Sequence, residues 1–408
     1  MKLHTAAPLW LGSERQTKRR RYPSLNGEVD VDAVIVGGGI VGAITAHTFA
    51  RAGIRVALLE SQLVGHGSTA ASTALLLQEP DEGLRELTKR YGAAAARRIW
   101  KLSRDATREF IATLRRERIA CDLIVRDSIY YTLDSRKVRA LRAEHARRRA
   151  AGLGGRWLDA AALGRATGIE GAAGIRTGGN AQLDPYRACL GLLASAQERG
   201  ARIFEHSPAR RIRKTPTGVV VDTRDGSITA RRAIIATGYA TAAFKPMAGR
   251  FRMTHTYVLA TAPIAARVRR QIGLGSVMLW DTRRPYHYAR WTKDGRLLLG
   301  GGDRPLLPPR QRARAFTDGQ RAVRQYFEAL FPALQDVEIA CAWEGLFAVT
   351  RDGLPFVGPH RRYPHQLFAL GYGGNGMTFG FLAARMLLGH FRGARSPDQR
   401  LFAFDRFD

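Results

Sequence analysis

Residues 32–60 read DAVIVGGGIVGAITAHTFARAGIRVALLE. A short apolar run ends in three glycines, an apolar-periodic stretch follows, and a second apolar run ends on a carboxylate. This pattern predicts strand, helix, strand. Gly37-x-Gly39-x-x-Gly42 sits at the first junction. Its first glycine makes the tight turn, its second lets a pyrophosphate approach the backbone, and its third lets helix pack on strand. The spacing continues beyond the motif: Ala46, Phe49, Gly53 and Val56 fall at the small, apolar, turn and strand positions. Glu60, with Ser61 after it, ends the second strand, where a carboxylate suits a ribose hydroxyl pair and repels a 2′-phosphate. The unit points to an α/β dinucleotide-binding domain.

A βαβ unit alone does not separate NAD from FAD. The next segment, GHGSTAASTALLLQ, is small and rich in hydroxyls; Ser68, Thr69, Ser72 and Thr73 can donate to phosphate and ribityl oxygens beside a flat ring. An NAD domain would proceed directly to another βα unit. Further on, RRAIIATGYA places Thr237 and Gly238 at the end of a strand. Near the C-terminus GYGGNGMTFG concentrates four glycines in its first six positions, before a helical stretch, FLAARMLLGH. Such density has a large entropic cost and calls for a close backbone approach to some object. A helix start beside it turns free amides toward that object.

The chain has 408 residues, enough for two domains, with 45% hydrophobic and 25% charged residues, which excludes disorder. No apolar run approaches the roughly 18 residues of a membrane span. The first thirty residues carry no signal-peptide core, and Arg19, Arg20 and Arg21 lead into Tyr-Pro-Ser rather than an export signal. Cys121, Cys189 and Cys341 are far apart, which suits a reducing cytoplasm and excludes a disulfide scaffold; no histidine spacing suggests a metal. The net charge of +30 admits a weak association with an anionic membrane. Its distribution argues against a nucleic-acid groove: the arginines of 136–149 surround a narrow seam of Val138, Leu141 and His145, the pattern of a solvated helix.

Along the chain, 1–30 reads as an extended arm. A helical stretch over 82–118 breaks near Gly92, LIVRDSIYYTL is a strand, and DPYRACLGLLASAQERG is a helix capped by Asp184 with Pro185 first. ARIFEH, GVVVDT, ARRAIIATG, FRMTHTYVLATAPI, YHYARWT and GRLLLGG are strands.

In order and spacing these pieces, with PLWLG near the start and TRDGLPFVG before the glycine loop, resemble the D-amino-acid-oxidase-like flavoprotein superfamily, which includes glycine oxidase, sarcosine oxidase and gamma-glutamylputrescine oxidoreductase. The resemblance implies an α/β architecture: a discontinuous Rossmann-like FAD-binding domain over 30–115, 175–245 and 345–395, and an antiparallel β-sheet substrate domain over 116–174 and 246–344. Residues 1–29 form an arm and 396–408 a tail. It implies that Gly373, Gly374, Asn375, Gly376 and Met377 lie against the flavin, where helix-start amides stabilise the charge of its reduced form. Ala209, in ARIFEHSPARRI, joins the cofactor set. Where sarcosine oxidases carry a lysine this chain has Thr378, and where they carry the flavin-linking cysteine it has Gly345, so FAD is expected to bind non-covalently. His66 is read as a solvated or loop-packing histidine rather than a flavin attachment point.

The implied reaction oxidises the CH–NH bond of an amine or amino acid to an imine by hydride transfer to flavin N5, with O2 or a quinone as acceptor. Arg290 is the expected carboxylate reader, since a guanidinium fork matches a carboxylate. His255 and Tyr288 are expected to line the pocket with it, and Tyr257 and His287 stand on the same strands. Two other classes stay open: a flavin-dependent RNA-modifying enzyme, disfavoured because no RNA-binding module is visible, and a non-catalytic flavin-binding partner protein.

Overall fold

A computed structural model gives the fold; its described residues are 4–12, 20–239, 241, 244, 247, 249–272, 274, 275 and 277–407. Positions 1–3 and 13–19 of the expected arm, Ala240 of RRAIIATGYA and the last residue of the expected tail lie outside them.

Strand Gly27–Val36 shows how the sequence builds the first layer. Its first half alternates, with Val29 and Val31 buried between exposed Glu28 and Asp30; its second half, Ala33 to Ile35, is buried throughout. Continuous burial is what a central parallel strand covered on both faces requires. Around it the order is Phe356–His360, Tyr363–Leu370, Gly226–Gly238, Gly27–Val36, Val56–Leu59, Arg202–Phe204. The last five are parallel, and Phe356–His360 closes the edge as an antiparallel hairpin. Helices Ile40–Arg51, Leu84–Arg116, Pro185–Glu198 and Gly376–Phe391 share one core with this sheet, including Ile35, Phe49, Trp100, Leu192 and Phe379. The ends of Gly27–Val36, Val56–Leu59 and Gly226–Gly238 open together at the edge where ligands bind in such sheets.

The second sheet runs His4–Thr5, Ile339–Val349, Arg252–Thr261, Leu297–Pro305, His287–Trp291, Val277–Asp281, Ile124–Thr132, Ala173–Gln182, Leu75–Leu76. Among its described pairs, Val277–Asp281 with Ile124–Thr132 is parallel and the rest are antiparallel. Helix Pro309–Leu330 covers it through Val323 and Phe327, packed with Tyr257 and Leu299. The expected domain cuts at 175 and 345 fall within strands Ala173–Gln182 and Ile339–Val349 of this sheet.

Local expectations can be followed residue by residue. Gly92, at φ +79°, breaks the helical φ/ψ of Leu84–Arg116. Asp184 caps Pro185–Glu198 by accepting from the amides of Tyr186 and Arg187, each at 2.9 Å. The basic helix Val138–Ala150 departs from the expected solvated pattern. Its Arg148 is 2% exposed, with its guanidinium 4.6 Å over Trp100 and its Nε donating to Glu144 at 3.0 Å. Glu144 in turn accepts from the amides of Leu84 and Arg85, capping the long helix from outside. The described part of the arm is docked rather than free: His4–Thr5 pairs with Glu344 and Gly345, and Trp10 is buried.

Candidate active site

The two sheets face a cavity of about 1190 Å³. One end is a backbone cradle. A Cβ on Gly37 would stand 2.7 Å from the Ala236 carbonyl, and one on Gly42 only 1.9 Å from the Gly37 carbonyl. No other residue lets strand, loop and helix close to this distance. Gly39 is the N-cap of Ile40–Arg51 and offers no side-chain cap; instead Thr69 Oγ1 accepts from the Ile40 amide at 2.9 Å. Glu60 Oε2 accepts from the Gly38 amide at 2.8 Å, and Oε1 accepts from the Ser61 hydroxyl and the Gln62 amide. The segment carrying Ala209, Arg210 and Arg211 lies beside it, tied through the Ser207 amide to the Glu60 carbonyl. Thr237 and Gly238 complete this end.

The hydroxyl-rich loop is held from outside. The carbonyls of Ala71, Ser72 and Thr73 accept from Trp343 Nε1 at 2.9 Å, Trp10 Nε1 at 2.7 Å and Arg290 Nε at 2.5 Å. Ser68 donates to the Leu346 carbonyl and Ser72 accepts from the Ala74 amide; all four hydroxyl residues line the cavity. The glycine loop closes the far wall. The Gly371 amide donates to the Gly238 carbonyl and the Gly373 amide to the Ala348 carbonyl. Asn375 is the N-cap of Gly376–Phe391, yet its side chain turns away and donates to the Glu79 carbonyl and to Asp81. The first helical bond from this cap comes from Phe379, so among the described residues the amides of Gly376 and Met377 have no helical partner, and both residues line the cavity.

The other end is made of side chains from distant segments: Asp81, Thr256, Tyr286, Tyr288 and Asp303. Asp81 accepts from the Gly374 amide at 2.7 Å and from Asn375 at 3.0 Å. The Tyr288 hydroxyl bonds to Thr256 at 2.9 Å. Burial pushes Asp303 up to about 7, with the Asp81 charge adding to it, and burial pushes Asp81 up to about 6. Tyr286 and Tyr288 are raised by burial and by the same two carboxyls.

Arg290 and His255 require correction. Arg290 does not line the cavity: its guanidinium donates to the carbonyls of Thr73, Leu183 and Trp291 and lies 5.2 Å over Trp10. Burial lowers its pKa to about 9. It shares a strand face with Tyr288, but the main chain at 72–74 stands between it and the cavity. His255 is 2% exposed and pairs with Glu344 at 3.2 Å, on the far side of its strand from Thr256. His287 stacks on Tyr326 and pairs with Asp281. Gly42 acts through packing and does not line the cavity. Thr378 donates to the Leu77 carbonyl, and His66 packs edge-on to Tyr186. The arm supplies wall residues that the sequence did not suggest, Thr5, Ala6, Ala7 and Leu11.

A long cavity with a glycine cradle, a terminal carboxylate and two helix starts open on it has the donor set a dinucleotide requires. The chain is similar along nearly its whole length to known proteins. It is 27% identical over 384 residues to the gamma-glutamylputrescine oxidoreductase of Escherichia coli K12, covering 91% of this chain and 86% of that one. Its fold matches the glycine oxidase of Geobacillus kaustophilus with a TM-score of 0.74 at 21% identity, over 90% and 96% of the two chains. It matches the L-amino acid deaminase of Proteus vulgaris with a TM-score of 0.77 at 14% identity, over 95% and 100%. The family model described as DAO, FAD dependent oxidoreductase, matches residues 32–388, and the chain belongs to that family.

Proposed function

We propose that the chain oxidises the CH–NH bond of a small amine or amino acid to an imine, which water then hydrolyses. The observation that carries this reading is the single cavity joining the glycine cradle to a polar end built by Asp81, Thr256, Tyr286, Tyr288 and Asp303. Gly37, Gly39, Glu60, Ser61, Ser68, Thr69, Ser72, Thr73, Ala209, Thr237, Gly238 and 373–377 are the residues assigned to hold FAD. Bound FAD supplies the acceptor for the C–H hydrogen and its electron pair. The open amides of Gly376 and Met377 offer the positive end of a helix dipole to negative charge at the loop. A neutral amine that loses hydrogen with its electron pair becomes an iminium ion, and the carboxyls facing it favour that positive charge. Water then converts the iminium to a carbonyl compound and an ammonium ion. Tyr286 and Tyr288 wall the space and orient the substrate.

The remaining parts of the proposal concern attachment, acceptor and place. Among the described residues no cysteine lines the cavity; Cys121 and Cys189 are buried and Cys341 is half-buried, which supports non-covalent FAD. With FAD held by these residues, O2 or a quinone would serve as the final electron acceptor. Among the described residues no helix is long and apolar enough to cross a membrane. A cytoplasmic setting, with weak electrostatic contact to an anionic membrane, is part of this proposal.

Anaerobic mixing of the flavin-loaded protein with a panel of amines and amino acids tests the reading. Bleaching of the flavin by at least one of them, with colour returning in air or on adding a quinone, is the expected result. A panel that leaves the flavin oxidised throughout overturns it in favour of a non-catalytic flavin protein.

A further inference from the structure

We propose that Asp303, supported by Asp81, makes the side-chain end of the cavity a cation subsite, so that the substrate carries, besides the neutral amine that is oxidised, a positively charged group and no carboxylate there. This rests on the oxidation reading and narrows it to a substrate class. Asp303 and Asp81 both line the cavity, and among the described residues neither forms an ion pair. Asp303 Oδ1 is buried and has no hydrogen-bond partner. Glu79, 1% exposed and also on the wall, is met by neutral donors, Ser128 at 2.9 Å and Asn180 at 3.1 Å. Asp81 thus feels Arg284, which does not line the cavity, and Asp303 is met by the neutral Thr256 hydroxyl and by no cation among the described residues. A buried carboxylate is costly to leave uncompensated, so the missing charge belongs to the ligand.

The side chains expected to read a carboxylate are engaged elsewhere. Arg290 points its guanidinium at three carbonyls, and Thr378 donates to the Leu77 carbonyl. Arg284 acts on Asp81 but does not line the cavity. The lining arginines, Arg210 and Arg211, lie beside Glu60 at the cradle end. Composition does not explain this. Lysines and arginines outnumber acids 65 to 35 in this chain, so a wall assembled without selection would carry cations. The Tyr286 ring already has the Arg284 guanidinium 5.8 Å from its centre, and the Tyr288 ring, 5.9 Å from Tyr286, gives the same end a further aromatic face, which attracts cations and not anions.

Burial holds Asp303 near neutrality, at about 7, so it ionises when a cation arrives and need not carry an unpaired charge when the cavity is empty. Asp81 has a second duty, since it fixes the Gly374 amide and Asn375. Asp303 is therefore the cleaner residue to change.

Calorimetric titration of the FAD-loaded protein with n-butylguanidinium and with n-butyrate tests the subsite without turnover. Butylguanidinium is expected to bind and butyrate to give no heat. Asp303→Asn should weaken butylguanidinium at least tenfold with FAD content unchanged, and Asp303→Glu should recover most of the loss. Asp81→Asn, if it retains FAD, should also weaken it. Butyrate binding in preference to butylguanidinium, or unchanged affinity in Asp303→Asn, overturns the proposal. The two readings fail separately. If butylguanidinium binds but no amine bleaches the flavin, the cation subsite stands and the oxidation reading falls. If an amino acid bleaches the flavin while butyrate alone binds, oxidation stands and the subsite falls.

Discussion

At the cradle end of the cavity, Gly37 and Gly42 meet across a gap that one methyl group would fill, and the available donors are amides and helix starts. At the other end, Asp81, Thr256, Tyr286, Tyr288 and Asp303 converge from separate strands and loops, and the available groups are side chains. The first surface recognises what every member of a cofactor class shares, a pyrophosphate and its riboses. In the proposed function the second faces the part that differs between substrates. Backbone recognition fixes the cofactor because the main chain is the same whatever the neighbouring side chains; side-chain recognition leaves the substrate open to change.

The largest expected effect breaks the first surface. Gly42→Ala places a Cβ 1.9 Å from a backbone oxygen that cannot yield without moving the loop. FAD affinity should fall by on the order of 100-fold, measured by equilibrium dialysis. Retained affinity would mean that the cradle tolerates a wider gap than its geometry implies.

Arg290→Lys sharpens the boundary between the ends. Lysine keeps one charge but cannot serve three carbonyls, so stability should drop by about 2 kcal/mol in urea. Reduction by carboxylate-bearing and carboxylate-free amines should slow alike, because the arginine holds the 72–74 main chain and touches neither. A selective loss for the carboxylate substrate would restore its role as a reader.

Glu60→Gln is a smaller change. Its oxygens already accept from Gly38, Ser61 and Gln62, so a bond to the ribose is one of several. FAD affinity should fall about tenfold, by flavin fluorescence titration, with the substrate profile unchanged.

The smallest effect is a pH dependence of the apoprotein. Asp303 and Asp81 are raised to about 7 and about 6 in the fold from an ordinary value near 3.8. Between about pH 4 and 7 the native state holds protons that the unfolded state has lost. Stability is therefore full below about pH 4 and declines as pH rises through 6 and 7. Asp303→Asn should raise the Tm relative to wild type at pH 8 and not at pH 4, a gain of about 1 kcal/mol after allowing for water in the cavity. An equal effect at both pH values would show that Asp303 is ionised in the empty cavity.

The same contrast explains what was legible in the sequence. The cradle lies within 32–60, where spacing alone specifies turn, approach and packing. Asp184 and Gly92 were readable for the same reason, since a cap and a helix break are local events. Tyr288 lines the cavity, and Arg290 shares its strand face by the two-residue period of a strand. That the main chain of Thr73 blocks the arginine depends on a loop more than 200 positions away, and no local pattern carries it. His255 failed through parity: Thr256, on the opposite face, meets the cavity, and the ladder to Leu297–Pro305 shifts register between His255 and Tyr257. Asp81 and Asp303 stood in EPDEG and LLLGGGD without a periodic signal. An acid directly after a strand's glycine run was the one available hint.

On this reading the two ends recognise different partners independently. FAD and butylguanidinium affinities, measured by calorimetry on wild type, Glu60→Gln, Asp303→Asn and the double variant, test it most directly. Glu60→Gln should weaken FAD alone, Asp303→Asn should weaken butylguanidinium alone, and the double variant should show the two losses without interaction. A single substitution that moves both affinities, or a double variant that departs from additivity, would contradict it.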